Sequence, residues 1–387
     1  MKIVGIICEY NPMHLGHSKQ IRMIRQQFGQ DTAVVCLMSG NFVQRGMPAV
    51  FDKSLRAQAA VRSGADLVLE LPVEYALSSA EGFAAGGVKI LSGFCDVLSF
   101  GAETGDRELL MQTAEQLLSP SFPEHLRQEL ARGVSFPAAR QAALDKMGAE
   151  ASVLSKPNDI LAVEYCKAIL FEGSAMDIFP VRREGDYHAS QADYENPSAT
   201  SLRRKIAAGE NWLPFVPSEA VECFHHGAVH DLSWGERAVL ARLRTMTDAE
   251  FEALPFGSEG LWRKLMHAAR HFGSLEEILT AVKSKRYTRS RLDRMVMCGF
   301  LGLTYTDLQT TAPYTRVLAL NDRGRSALKK ARESGRFLNA GEKPEDCYWE
   351  MERRVGDLYG LFSQDGPEPP GREAGRRVYY HKESFIV

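Results

Sequence analysis

Little in this sequence points to a specialised environment. Its seven cysteines (Cys8, Cys36, Cys95, Cys166, Cys223, Cys298 and Cys347) form no CxxC pair, which excludes the spacings of zinc ribbons and thioredoxin-like redox sites. An odd, scattered set argues against a disulfide framework and for reduced thiols in a cytosolic protein, several of them small core residues in strands. No apolar run is long enough to span a bilayer. The first one, within MKIVGIICEY, ends at Glu9 and is too short for a secretory signal, so a cytoplasmic protein without membrane insertion is expected. Net charge is small as well, −2, which excludes a uniformly basic nucleic-acid binder and leaves room for a local basic patch. Internal repeats are lacking, and the one biased stretch, Gly366–Gly371, reads as a loop.

What is there is a globular composition, 44% hydrophobic and 25% charged, in 387 residues, enough for two or three domains. Strands are predicted at Lys2–Cys8, Thr32–Met38, Leu67–Leu71 and Asp96–Phe100. Helices alternate with them at His17–Phe28, Lys53–Arg62 and Ser78–Leu91, and Ser39–Pro48 reads as a polar loop. This alternation predicts an α/β fold with a Rossmann-like parallel sheet, in which ligands bind at the carboxyl ends of the strands. A helical stretch Arg107–Met147, a helix Asp159–Phe171, a last strand Ser174–Val181 and a helix Thr200–Ala208 complete this part. Beyond Gly209 the pattern is mostly helical, with apolar runs Ala238–Leu243 and Met295–Leu303 and a strand near Val317–Leu320. The division read from this is a first domain over 1–210 and a mostly helical one over 211–387.

The strongest local signal, Tyr10-Asn11-Pro12-Met13-His14-Leu15-Gly16-His17, follows the first strand directly. Gly16, without a Cβ, lets backbone approach a ligand, and a helix starting near His17 points N–H groups and its positive end at an anion. His14 and His17 can then both face one phosphate and stabilise charge building on it. The plainer readings are a surface turn or a metal-binding HxxH, but no nearby Cys or further His supplies the usual third metal ligand. A second signal, Ser198-Ala199-Thr200-Ser201-Leu202-Arg203-Arg204, opens a helix with hydroxyls that cap it or donate to phosphate. Arg203 can cover the phosphates that leave.

Together, HxGH and (S/T)xT(S/T)xR are similar to the paired motifs of the nucleotidyltransferase superfamily, which binds ATP and attacks its α-phosphate. The strings EYNPMHLGH, MSGNFVQRGMPAVFDKSLRAQAAVRSGADLVLELP, SFGAE, KPNDILAVEY and VRREGDYH resemble the bacterial tRNA(Met) cytidine acetate ligase family, and KSKRYTRSRLDR extends the likeness into the second half. The resemblance implies a ligase that converts acetate and ATP to acetyl-adenylate and acetylates N4 of the wobble cytidine of elongator tRNA(Met). It also implies a nucleotide site: Ile7, Cys8, Glu9, Tyr10, Asn11, Pro12, Met13, His14, Leu15, Gly16, His17, Ser18, Lys19 and Gln20, then Gly101, Asn158, Arg182 and Arg183. Catalytic roles fall to His14, His17, Thr200 and Arg203.

Other readings stay open. Asn158 is also a plausible helix cap, either arginine of the pair can touch ATP, and the role of His188 in the loop Gly185-Asp186-Tyr187-His188 is undecided. Asn41, Gln44 and Arg45 can hold acetate or cytidine or form a plain connection. Glu9, Asp52, Asp66 and Glu70 are candidate carboxylates for Mg²⁺ or protons, with nothing to choose among them, and Mg²⁺ itself is expected to ride on the nucleotide. Lys283, Lys285, Arg286, Tyr287, Arg289 and Arg291, continued by Arg294, form the densest basic run, read as tRNA-binding with Tyr287 stacking on a base. The cluster Arg323–Arg336 reads as helix surface. His225, His226, His230, His267 and His271 read as structural. The alternatives are adenylyl or cytidylyl transfer to a phosphorylated small molecule, and a non-catalytic tRNA- or nucleotide-binding protein.

Overall fold

The computed structural model describes residues 1–183, 197–225 and 227–382. Strands β1 (Ile3–Cys8), β2 (Ala33–Ser39), β3 (Leu67–Leu71), β4 (Val97–Ala102) and β5 (Asp177–Arg182) lie in the order β3-β2-β1-β4-β5, all parallel. β1 to β3 are nearly continuous apolar runs because helices cover both faces of the sheet. The chain steps outward from β1 to β3 and then returns to place β4 on the other side of β1. The crevice between the carboxyl ends of β1 and β4 is therefore the switch point where ligands bind in such sheets.

Helices α1 (Leu15–Phe28), α2 (Lys53–Arg62), α3 (Ala80–Leu91) and α4 (Pro157–Phe171) make the crossovers. Asp52 caps α2 by accepting the Ser54 N–H at 2.8 Å, and Ser79 caps α3 through the Gly82 N–H. Helix α5 (Ala199–Ala207) follows the sheet's last parallel strand.

Three features differ from the sequence reading. Arg107–Met147 is three helices, Arg107–Leu118, Phe122–Leu130 and Phe136–Lys146, broken near Pro120 and at Gly133, whose φ of +78° no helix accommodates. The loop Ser39–Pro48 contains a small antiparallel hairpin, Phe42–Val43 against Met47–Pro48, with Phe42 and Val43 buried. The strand near Val317–Leu320 is β6 (Thr315–Leu320), and it pairs antiparallel with β3. Strands β7 (Phe337–Asn339) and β8 (Tyr379–Tyr380) pair with β6 in parallel, so the sheet runs across the boundary drawn near residue 210.

The remaining C-terminal helices, among them α6 (Arg289–Leu301), enclose their own apolar cluster of Leu243, Phe251, Leu265, Leu292 and Phe362. Phe42 and Leu77 reach into it from the first half of the chain. Among the described residues no helix is long and apolar enough to cross a membrane.

Candidate active site

A cleft of about 300 Å³ lies over the carboxyl ends of β1 and β4. Its first wall is the turn after β1. There α1 begins at Leu15, so His14 is its N-cap, in extended conformation, and His17 sits in the first turn. The His14 N–H donates to His17 Nδ1 at 3.3 Å, and the two rings stack with centroids 3.6 Å apart. An Nδ1 that accepts fixes the His17 proton on Nε2, turning that nitrogen into a donor. Burial lowers the His14 pKa to about 3, with the guanidinium groups of Arg183 and Arg203 adding to it. His17 is also pushed well below its usual range by burial, then by His14 and Arg183. Both imidazoles are therefore neutral hydrogen-bonding groups at neutral pH, and the buried His14 Nδ1 has no hydrogen-bond partner among the described residues.

Ile7, Cys8, Glu9, Tyr10, Asn11, His14, His17 and Gln20 face the cleft, and Gln20 is held by donating to Ser99 at 3.1 Å. Pro12, Met13, Leu15, Gly16, Ser18 and Lys19 do not line it. Met13 is fully buried behind the turn, Ser18 donates to the Leu15 carbonyl, and Lys19 points outward. A Cβ on Gly16 would stand 3.1 Å from the His14 ring, so the missing side chain leaves that ring its place.

The second motif meets the first. Ser198 caps α5 and is paired with Ser201, so these two hydroxyls serve the helix. Thr200 and Arg203 face the cleft instead. Arg203 donates to the Asn11 carbonyl at 2.8 Å and to Thr200 Oγ1 at 3.2 Å, tying together segments 192 residues apart.

At the other end, Gly101 and Asn158 line the cleft with Arg183, while Arg182 is exposed at the end of β5. That settles which arginine of the pair faces the site. A Cβ on Gly101 would fall 2.8 Å from Arg183 Cδ, so the bare backbone makes room for this side chain. Asn158 is not the cap of α4, which is Lys156. Its amide donates to Glu103 at 2.7 Å and its carbonyl accepts from Arg183 at 3.4 Å. Glu103 also accepts the Asp159 N–H at 2.8 Å, and Asp159 in return accepts the Thr104 N–H at 3.0 Å. This reciprocal lock fixes the loop after β4 against the start of α4.

Gln44 and Arg45, on the hairpin after β2, line the cleft, but Asn41 does not. Asn41 is buried and bonded to Asp52 and to the Lys53 N–H. Of the candidate carboxylates only Glu9 reaches the site. Asp52 binds Arg376 through both oxygens, Asp66 pairs with Arg25 and Arg323, and Glu70 with Lys53. Among the described residues no His, Cys, Asp or Glu group can hold a metal ion.

Sequence reading missed Arg56 and Glu103. Arg56 is wholly buried and donates to the carbonyls of Glu9 (2.6 Å), Ser39 (3.1 Å), Phe51 (2.8 Å) and Gly40. It thereby ties the turns after β1 and β2 together. The available signal was an arginine amid Ala57, Ala59 and Ala60, on a helix face too small-chained to be solvated.

The basic run lies outside the cleft. Lys283, Lys285 and Arg286 are exposed, but Arg286 pairs with Glu259, and Arg289 with Glu276 and Asp293. Arg291 donates to the Phe256 carbonyl and Ser258. Tyr287 corrects an expectation: its ring is buried at 4% exposure and its hydroxyl donates to Glu259, so no face is presented to a base. His230 stacks on Tyr359, with Nε2 3.3 Å from Glu368, and His267 stacks on His271. The loop Gly185-Asp186-Tyr187-His188 and His226 lie outside the described residues.

A parallel sheet carrying HxGH at its switch point, joined to a hydroxyl-and-arginine helix start, is the architecture of an adenylate-forming or nucleotidyl-transferring enzyme. Residues 1–369 match the family model described as HIGH Nucleotidyl Transferase. The chain is 34% identical to the tRNA(Met) cytidine acetate ligase of Acetivibrio thermocellus, over 97% of its own length and 98% of that protein's. It is 36% identical to the enzyme of that name from Alkaliphilus metalliredigens, over 99% of this chain and all (100%) of the other. It also superposes on the crystal structure of apo Thermotoga maritima TmcAL with a TM-score of 0.89 at 28% identity, covering 99% and 100% of the two chains. The same protein bound with alpha-thio ATP gives a TM-score of 0.86. The chain belongs to the tRNA(Met) cytidine acetate ligase family.

Proposed function

We propose that this enzyme joins acetate to the N4 amine of the wobble cytidine of elongator tRNA(Met), converting ATP to AMP and pyrophosphate. The observation that carries the reading is the Arg203–Asn11 contact, which places Thr200 and Arg203 over the same cleft as His14 and His17. Adenine and ribose lie toward Gly101, Asn158 and Arg183, and the triphosphate over the start of α1. An acetate oxygen attacks the α-phosphorus, and pyrophosphate leaves toward the guanidinium of Arg203 and the hydroxyl of Thr200. Neutral His14 and His17 donate to the charge on the phosphoryl oxygens. The mixed anhydride stays in the cleft until the cytidine amine, splayed from its loop, attacks the acyl carbon.

The described residues form no cluster of three or more His, Cys, Asp or Glu side chains around a position for Mg²⁺. The ion, when bound, neutralises phosphate charge and is carried by the nucleotide with its waters. In the same reading residues 1–210 supply the chemistry, and the exposed lysines of the basic run, Lys283 and Lys285, contribute to tRNA binding.

The test is an incubation with labelled acetate, ATP and bulk bacterial tRNA. Label in tRNA, with AMP and pyrophosphate formed, is expected. A stable nucleotide-containing product without labelled tRNA would assign the protein to nucleotidyl transfer. Binding without turnover would make it a non-catalytic binder.

A further inference from the structure

Acyl transfer to cytidine needs a group that the phosphate machinery lacks: an acceptor for the proton the amine must lose. His14 is a poor base at its lowered pKa, and the His17 Nδ1 already accepts a hydrogen bond. Among the described residues that line the cleft, Glu9 is the one carboxylate. It is half-buried, immediately after β1, where the hairpin after β2 meets the cleft.

Its position is fixed from two directions. Oε1 accepts the Gln44 N–H at 3.0 Å, and the Glu9 carbonyl accepts from Arg56 at 2.6 Å. Oε2 has no donor among the described residues. The hairpin that carries Gln44 is seated in turn on α6, where Arg294 donates to the Gln44 carbonyl at 3.2 Å. Gly46, at φ +76°, allows this seating, since a Cβ there would stand 2.4 Å from the Arg294 nitrogen. The Glu9 wall of the cleft is therefore the one joined to the helix on which the basic run ends.

Resting on the function proposed above, we infer that Glu9 is the catalytic base for acetyl transfer and the group that selects cytosine. A carboxylate is the natural acceptor for the cytosine N4 amine, whereas uracil presents a carbonyl there and would set lone pairs against the carboxylate. In the step itself the N4 lone pair bonds to the acetyl carbon, and the bond from that carbon to the phosphate oxygen of acetyl-adenylate breaks. AMP departs with that electron pair, and one N4 proton moves to Glu9 Oε2 and then to water.

The test compares two acceptors for one intermediate. The full-length Glu9→Gln enzyme is given ATP and labelled acetate, once with tRNA and once with hydroxylamine, which traps acetyl-adenylate as acetohydroxamate and needs no base. Gln keeps the oxygen that the Gln44 N–H requires. The ratio of tRNA acetylation to hydroxamate formation is expected to fall about 10²-fold or more relative to the parent. An unchanged ratio overturns the inference, and so do equal losses in both assays, which would make Glu9 a nucleotide contact only. If Glu9→Gln does not fold, Glu9→Ala decides by the same ratio. Failure of the parent enzyme to form any hydroxamate would instead strike at the proposed function.

Discussion

A buried imidazole beside two guanidinium groups does not stay protonated, and this decides how His14 and His17 can act. Losing one neutral donor to a developing phosphorane should cost roughly 10²–10³-fold in rate. His14→Ala and His17→Ala should show that loss in acetate-dependent exchange of labelled pyrophosphate into ATP, with ATP affinity less affected. Exchange near the parent rate would remove both from the chemistry. The same burial has a consequence for stability. In the unfolded chain a histidine protonates near 6.5, while folded His14 resists down to about 3, so the unfolded state binds the extra proton and stability falls as pH drops below about 6.5. At pH 5 this one group removes about 2 kcal/mol, and ligand-free His14→Gln should lose correspondingly less stability between pH 7 and pH 5 in urea unfolding. Equal losses in both proteins would contradict the burial argument. The residue types of this site were legible in the sequence because two short motifs carry them. Which of Arg182 and Arg183 faces inward was not, since a strand end points neighbours to opposite sides and nothing local says which side holds the cleft.

At the scale of elements, the hairpin after β2 shows what a one-dimensional pattern hides. Read locally, Ser39–Met47 is a polar loop. Its contacts reach α6 and the rings of Tyr359 and Phe362, with 250 residues separating Gln44 from Arg294, so no periodicity in either segment announces them. Gly46→Val should unseat the hairpin, because a side chain there meets α6 backbone rather than a movable side chain. The expected outcome is a fall in tRNA acetylation larger than the fall in pyrophosphate exchange, and equal losses would argue that the hairpin serves the nucleotide alone. The basic run was legible as charge but not as availability. Glu259, Glu276 and Asp293 take up Arg286 and Arg289. Lys283→Ala with Lys285→Ala should therefore lower the slope of log tRNA affinity against log salt by up to about 1.4, at about 0.7 per contact for single-strand-like binding. An unchanged slope would leave the run as a solvated surface.

At the scale of the whole molecule, the main sheet is shared by both halves of the chain. The parallel core over β1 to β5 was readable from apolar runs and turn residues. Of the three strands that complete it, β6 was readable as the run Val317–Leu320, but β7 and β8 were not, since they are 3 and 2 residues long and take their direction from a partner strand rather than from their own pattern. Their addition closes the β3 edge and brings charges that the first half needs. Arg376 donates to both oxygens of buried Asp52, holding that carboxyl far below its usual range even though burial alone would raise it. Arg323 and Asn321 donate to buried Asp66. Glu373 shares Lys53 with Glu70. Breaking one such buried pair from one side typically costs about 3–5 kcal/mol, because the remaining charge is left without a partner. A fragment ending at residue 210 strips Arg376 from Asp52, leaves Asp66 with Arg25 and Lys53 with Glu70, bares the backbone of β3 as an open edge and uncovers Phe42 and Leu77. The loss at Asp52 alone, about 3–5 kcal/mol, is a large share of the roughly 5–15 kcal/mol by which a typical domain is stable, and the open edge and bared apolar surface add to it. Residues 1–210 expressed alone should therefore aggregate or bind no ATP, although every residue proposed to touch ATP lies within them. Size-exclusion chromatography and ATP titration of the fragment decide the matter, and a monomer that binds ATP as the full chain does would show that the second half adds strands without supporting the site.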